Sequence, residues 1–301
     1  MSEKIKIYQV DSFTKEKFKG NPAGVVPNAD GLTDDQMQNI ARELNNSETA
    51  FILKPTDENH NVWVRFFTPQ IEVPSCGHAT IAAHYILALE NNYNSRRIVQ
   101  KIGAGILPVD IIKEKNDYKI EMTQGKIDFD SPIDKKIRSE ICNALQLNED
   151  DLDPRCPIQI VSTGHSKVLI GITSQDKLNS LDPKMHSLTN ISNQIKCFGY
   201  YVFTFDTNED DVLTAGRMFA PAIGINEDPV TGNANGPLGA YIVKHKLISN
   251  NGKLFAFKAK QGEAINRAGI VDVEVEIKND VPVRVKVGGY AKVVFKTEIV
   301  I

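Results

Sequence analysis

Alternation of apolar and polar residues opens the chain: "KIKIYQVDSF" (residues 4–13) predicts a strand. The period then changes. In "LTDDQMQNIARELNN" (32–46), Met37, Ile40, Ala41 and Leu44 recur at helical spacing, with Thr33 as N-cap and Gln36 as the reciprocal member of a capping box. "ETAFILK" and "NVWVRFF" predict two strands and residues 77–90 a helix. Residues 98–124 read as a meander that turns at "GAG" and "KND". A helix is expected over about 134–146, followed by strands at "PIQIVSTG", "KVLIGI" and "GYYVFTFD", with "LTNISNQIKC" a short helix separating the last two. A second glycine-rich helix follows over about 233–247. Residues 254–300 divide into four strand-like runs at "QGEAINRAG", "KNDVP" and "GGY". Helices and strands do not alternate one for one, so the pattern gives an α+β chain with two principal core helices and not a βαβ array.

The elements repeat. "RFFTPQI" at 65–71 matches "RMFAPAI" at 217–223, an offset of 152, and each leads to a helix opening on glycine: "GHATIAAHYIL" at 77 and "GNANGPLGAYIV" at 232, an offset of 155. Upstream, 40–53 lines up loosely with 191–204 at an offset of 151. Helix, strand, Arg-aromatic strand, glycine turn and helix therefore recur in order, which implies two homologous halves split near residues 120–125.

Composition narrows the function classes. The chain has 301 residues, 41% hydrophobic and 24% charged, with a net charge of −3 and both signs interspersed. No basic stripe marks a nucleic-acid partner. No apolar run approaches the ~20 residues that span a bilayer, and the first residues carry no signal-peptide core. Four cysteines, Cys76, Cys142, Cys156 and Cys197, lie far apart without CxxC spacing, so no disulfide framework is expected and the cytoplasm is the expected compartment.

Candidate chemistry gathers at the two glycine-started helices. A helix start offers unpaired backbone N–H groups and roughly half a positive charge, and glycine lets a ligand approach that backbone closely. Gly77 and Gly232 thus suggest a cradle for a small carboxylate, without metal or nucleotide. Metal binding at Cys76 and His78 fails on count, because His84 lies six residues beyond His78 and no further ligands complete a set. No P-loop and no strand leading into GxGxxG is present. Cys76, at a helix start where a thiolate is favoured, remains open as a nucleophile or proton carrier. The repeat sets Asp228 or Thr231 opposite it, depending on where the three-residue insertion falls, and never a second thiol. Glu48 opens an otherwise apolar strand, and Asp228 precedes a proline turn; beside the two cradles, both become acid–base candidates.

At these residues the chain resembles a known family. "VDSFTKEKFKGNPAGVV", "NNSETAFIL", "FFTPQIEVPSCGHATIAAHY", "GRMFAPAIGINEDPVTGNANGPLGAY" and "QG" at 261–262 together resemble the PhzF-like isomerases of the diaminopimelate-epimerase fold, from near residue 5 to near the C-terminus. The resemblance implies two pseudo-symmetric domains, each a β-barrel-like sheet around a central helix, with the active site between them. Their expected extents are 1–122, joined by the last strand at about 285–301, and 123–284. It also implies a cofactor-independent proton shift, a small-molecule carboxylate as partner and commonly a homodimer. By the same resemblance Glu48 moves the proton, His78 and Asp228 assist it, and Gly77, His78, Gly232 and Asn233 bind substrate. Asn233 stands where the family has serine.

The expected activity is an isomerase that relocates a proton on a small carboxylate, with Glu48 as general base and acid. One alternative is a thiol-dependent epimerase or dehydratase of a cyclic amino or hydroxy acid using Cys76. Another is a non-catalytic carboxylate-binding protein.

Overall fold

The protein is described by a computed structural model covering residues 4–301. It folds as two compact units, one holding the chain up to Thr123 together with Gly288–Ile301, the other Gln124–Val287. In chain order the first unit contains β1 (Lys4–Ser12), β2 (Asn21–Val26), α1 (Asp34–Leu44), β3 (Thr49–Leu53), β4 (Val62–Phe67), β5 (Glu72–Val73), α2 (Gly77–Asn91), β6 (Arg96–Ile102), β7 (Gly105–Glu114) and β8 (Asp117–Thr123). The second begins with β9 (Asp128–Pro132), α3 (Lys135–Leu145), β10 (Gln159–Ser162), β11 (Ser166–Ile172), α4 (Gln175–Ser180) and α5 (Met185–Ile195). It continues with β12 (Tyr200–Thr204), β13 (Thr214–Ala220), β14 (Ile225–Asp228), α6 (Gly232–Lys244), β15 (Leu254–Gln261), β16 (Gly269–Lys278) and the start of β17 (Val281–Val300).

Each unit wraps a sheet around one buried helix. In the first, β17 runs antiparallel to β1, β1 to β2, and β3 to β4, while β2 is parallel to β3 and β4 to β6. β6, β7 and β8 form the antiparallel meander, and pairing of β8 with β17 closes the sheet. The second unit repeats these senses: β10 antiparallel to β11, β11 parallel to β12, β12 antiparallel to β13, β13 parallel to β15, and β15 antiparallel to β16. The central helices are α2, buried without interruption from Gly77 to Ala88, and α6, buried from Ala234 to Val243. A helix apolar on every side has to sit inside a core. The other helices are two-faced: α1 buries Met37, Ile40 and Ala41 under the expected Thr33–Gln36 capping box, and α3 packs on α5 through a core that includes Ile141 and Leu188.

Equivalent residues of the repeat occupy equivalent places. Phe51 is register partner to Arg65 in one unit, and Val202 to Arg217 in the other. The Arg65 guanidinium forks onto Glu72 at 2.8 and 2.7 Å, and that of Arg217 onto Glu227 at 2.9 and 2.7 Å. Each also lies over the aromatic ring two residues on, Phe67 or Phe219. The two arginines are 152 residues apart and the two glutamates 155. The insertion therefore falls between Arg217 and Glu227, and Thr231 is the counterpart of Cys76.

Three details differ from the sequence reading. "GGY" does not separate two strands, because β17 runs through it without a break, leaving three strands after residue 254. A Cβ at Gly288 would stand 2.7 Å from the Ile120 carbonyl oxygen and from Glu121 Cγ, so glycine here marks a close backbone approach and not a turn. The short α4, capped by the Ser174 hydroxyl, and the polar edge strand β9 were not anticipated. Six residues carry too little period to register, and "DFDSP" does not alternate.

Candidate active site

Two clusters of buried polar groups stand at the starts of α2 and α6. In the first unit, α1 ends on Asn45 in the left-handed conformation, and the chain turns into β3, which is set by its parallel pairing with β2. The Glu48 carbonyl accepts from the Gly24 N–H at 3.3 Å, placing Glu48 one residue ahead of β3. A Cβ on Gly24 would meet Thr49 Oγ1 and Leu44 Cδ1 at 2.7 Å, so this crossing requires glycine. The Glu48 side chain is 15% exposed, and its Oε2 lies 3.3 Å from His78 Nε2. Ser47 Oγ approaches the same nitrogen at 3.2 Å.

Cys76 is the N-cap of α2, and no side chain caps that helix. The Cys76 carbonyl accepts from the Thr80 hydroxyl, and the His78 carbonyl from the Ser12 hydroxyl, both at 2.7 Å, which pins the first turn. Cys76 Sγ sits 3.5 Å from His78 Nδ1 and 3.9 Å from Nε2. Imidazole, carboxylate and thiol therefore converge: the Ser47 hydroxyl is the hydrogen-bond partner of His78 Nε2, the Cys76 thiol that of Nδ1, and the Glu48 carboxylate lies beside Nε2. The sequence count of metal ligands stopped at Cys76 and His78. Here Glu48 supplies a third donor, all three ligating atoms lying within 4.8 Å of one another.

In the second unit, Thr231 is the N-cap of α6, and again no side chain caps the helix. Its hydroxyl instead donates to Asp228 Oδ2. Gln261 holds both residues: its Nε2 donates to the Asp228 carbonyl at 2.8 Å and to Thr231 Oγ1 at 3.1 Å, and its Oε1 accepts from the Thr231 N–H at 3.0 Å. Asn235 Nδ2 donates to the Thr231 carbonyl at 2.9 Å, and the Tyr201 hydroxyl donates to Asn235 Oδ1 at 2.6 Å. Burial pushes the Tyr201 phenol up, so it stays a neutral donor. Gln124 Nε2 donates to the Gly232 carbonyl at 3.1 Å and to Asn233 Oδ1 at 3.0 Å.

The structure thus brings together Glu48, Cys76, Gly77 and His78 in one cluster, and Asp228, Thr231, Gly232 and Asn233 in the other. Sequence reasoning missed the network of Gln124, Tyr201 and Asn235. It noted "QG" at 261–262 without a reason, and the reason is now visible. Gln261 fixes Asp228, and Gly262 adopts φ +89° where a Cβ would meet the Pro229 carbonyl oxygen at 2.7 Å. Lys167 was also missed. Its stem lies against Gly199, and burial draws its ammonium down from the usual range while Cys197 and Asp228 act in the opposite sense.

Comparisons with known proteins agree in direction. The profile of the PhzC-PhzF family, phenazine biosynthesis-like protein, matches residues 10–297. An isomerase of Clostridium acetobutylicum is 62% identical over 301 residues, covering 100% of both chains. The trans-2,3-dihydro-3-hydroxyanthranilate isomerase of Pseudomonas fluorescens is 30% identical over 288 residues, covering 93% of this chain and 94% of that one. The crystal structure of a Bacillus anthracis phenazine biosynthesis protein of the PhzF family superposes with a TM-score of 0.88 at 29% identity, over 99% of this chain and 100% of that chain. A hydroxyproline epimerase from Agrobacterium vitis shares the fold at a TM-score of 0.64 and 11% identity, over 99% and 92% of the two chains.

Proposed function

The chain belongs to the PhzC-PhzF, phenazine biosynthesis-like family and is an isomerase, and from that premise we propose that it relocates a proton on a small carboxylate substrate, with Glu48 as the group that takes and returns it. The observation that carries the reading is the Glu48 carboxylate, largely shielded from solvent and 3.3 Å from His78 Nε2, at the uncapped start of a buried helix. A base so placed abstracts a proton from carbon next to a carbonyl or conjugated system. Negative charge then develops on the substrate, where the first N–H groups of α2, at Gly77 and His78, stabilise it without reorganising. His78, with Nε2 beside the carboxylate, helps to position Glu48, which holds the abstracted proton and returns it to another carbon.

In the second unit Thr231 and Gln261 fix Asp228, and the start of α6 at Gly232 and Asn233 offers N–H groups suited to a carboxylate. The Pseudomonas fluorescens relative, whose name specifies an unsaturated ring carboxylate, supports that substrate class. Asn233 in place of the family serine makes the compound itself a separate question.

The test is deuterium incorporation. The protein is incubated in D₂O with a panel of small cyclic and unsaturated carboxylic acids, and mass shifts are read. Glu48→Gln keeps the fold and loses ~10²-fold or more of the exchange rate; full exchange in that variant removes Glu48 from the mechanism. A thiol-dependent reading is favoured only by Cys76 Sγ lying 3.5 Å from His78 Nδ1. Cys76→Ala separates the two, abolishing exchange under the thiol reading and lowering it only mildly under the Glu48 reading. Saturable binding with no exchange under any condition would favour a carboxylate-binding protein.

A further inference from the structure

The first cluster has the donor set of a soft-metal site. Thiol, imidazole and carboxylate converge from two segments of the same unit, Ser47–Glu48 ahead of β3 and Cys76–His78 at the start of α2. With bonds of about 2.0–2.1 Å to nitrogen, 2.0–2.2 Å to oxygen and 2.3 Å to sulfur, a tetrahedral Zn²⁺ holds its N and O ligands about 3.4 Å apart and its N and S ligands about 3.6 Å apart. His78 Nε2 lies 3.3 Å from Glu48 Oε2 and 3.9 Å from Cys76 Sγ. The two separations measured from His78 Nε2 are therefore within a few tenths of an ångström of those a tetrahedral ion imposes, and the Glu48–Cys76 pair lies within 4.8 Å. The backbone beneath is already fixed, by Ser12 on the His78 carbonyl and Thr80 on that of Cys76. Three protein donors leave a fourth position for water, which makes the ion exchangeable and not structural.

We propose that Glu48, Cys76 and His78 bind one thiophilic divalent cation of the Zn²⁺ type, and that its occupancy blocks the isomerase. Binding exchanges a proton for the metal: the Cys76 S–H bond breaks, the S–M bond forms, and the proton leaves to solvent. His78 binds through the Nε2 lone pair with its proton on Nδ1, and Glu48 binds as carboxylate. No oxidation change occurs. The block rests on the proposed role of Glu48, since the lone pairs that would take the substrate proton are then held by the ion; the binding does not rest on it.

Cobalt(II) chloride is the probe, added to the reduced full-length chain without oxygen or chelators. The expected result is one equivalent bound with a thiolate-to-cobalt charge-transfer band, displaced by one equivalent of ZnCl₂. Cys76→Ser and Cys76→Ala lose the band. Glu48→Gln and His78→Asn weaken binding at least ~10-fold, since even an outer-shell change costs roughly 10–100-fold. Circular dichroism establishes that each variant is folded, and the exchange rate of the unmutated chain falls in proportion to occupancy. No band, a band that survives in both Cys76 variants and so belongs to Cys142, Cys156 or Cys197, or full exchange with Zn²⁺ bound overturns the proposal. Glu48→Gln that loses cobalt affinity but keeps full exchange sinks the proton-transfer reading and leaves the metal site standing.

Discussion

Glu48 and Asp228 break the repeat in opposite halves. The counterpart of Glu48 is Gly199, and that of Asp228, at the 155-residue offset, is Val73. The duplicated scaffold therefore carries these two acids at positions that are not equivalent. Another single side chain sets acid sensitivity. His84 is fully buried in α2, with Nε2 2.9 Å from Gln100 Oε1, and among the described residues Nδ1 has no partner. Burial lowers its pKa from 6.5 to about 4. Above pH 6.5 both folded and unfolded chains carry it neutral. As pH falls from 6.5 toward 4, the unfolded chain takes up a proton that the folded chain refuses. Stability then falls by about 1.36 kcal/mol per pH unit, or about 2 kcal/mol by pH 5. Denaturant unfolding at pH 7.5 and pH 5 should show this loss, and His84→Gln should reduce it; equal loss in both proteins would assign the sensitivity elsewhere.

The start of α6 depends on a glycine that no turn requires. A Cβ at Gly236 would collide with Gln124 Oε1 and stand 2.6 Å from its Cδ. Retreat would cost Gln124 its hydrogen bonds, because Thr163 Oγ1 donates to its Oε1 at 2.6 Å while its Nε2 holds Gly232 and Asn233. Gly236→Ala, although it favours helix by propensity, should therefore destabilise the protein by ~1–3 kcal/mol through overpacking and broken hydrogen bonds. Urea unfolding measures it, and a stabilised variant would show that Gln124 yields without cost.

The chain returns to its first unit only at the end. β17 contributes residues 288–300 there and pairs with β1 from Ser12↔Ala291 to Lys4↔Val300. Lys17 Nζ donates to the Val294 carbonyl, and the Tyr290 hydroxyl to Glu114 Oε2. A chain ended at Val287 leaves one edge of β1 unpaired and reopens the sheet at β8, so the first unit should fail to fold, read as loss of its protease resistance. A circular permutant opened at the same place, with Ile301 joined to the N-terminus by a short linker, should restore it, because Val300 and Lys4 are register partners. Failure of the permutant, with the truncated chain still folded, would show that the final strand is dispensable.

Much of this was legible along the chain because it is encoded locally. Helical spacing and a capping box specified α1, alternation specified strands such as β1, and the constant offset exposed the duplication before any contact was known. The two glycine-started helices announced themselves by composition, and the quoted stretches carried the family resemblance. What only tertiary structure decided are relations whose partners are distant in sequence. Glu48 reaches His78, thirty residues on, because β2 sets where β3 begins, and no periodicity records a register. The counterpart of Cys76 was undecided until the Arg65–Glu72 and Arg217–Glu227 forks located the insertion. "GGY" looked like a break because glycine signals both turns and close approach, and only the backbone of Ile120 and Glu121 against Gly288 distinguishes them. Gln261 is one polar residue at a strand end until the fold sets Asp228 and Thr231 against it. Local pattern determines which elements form; which polar groups meet depends on the packing that follows.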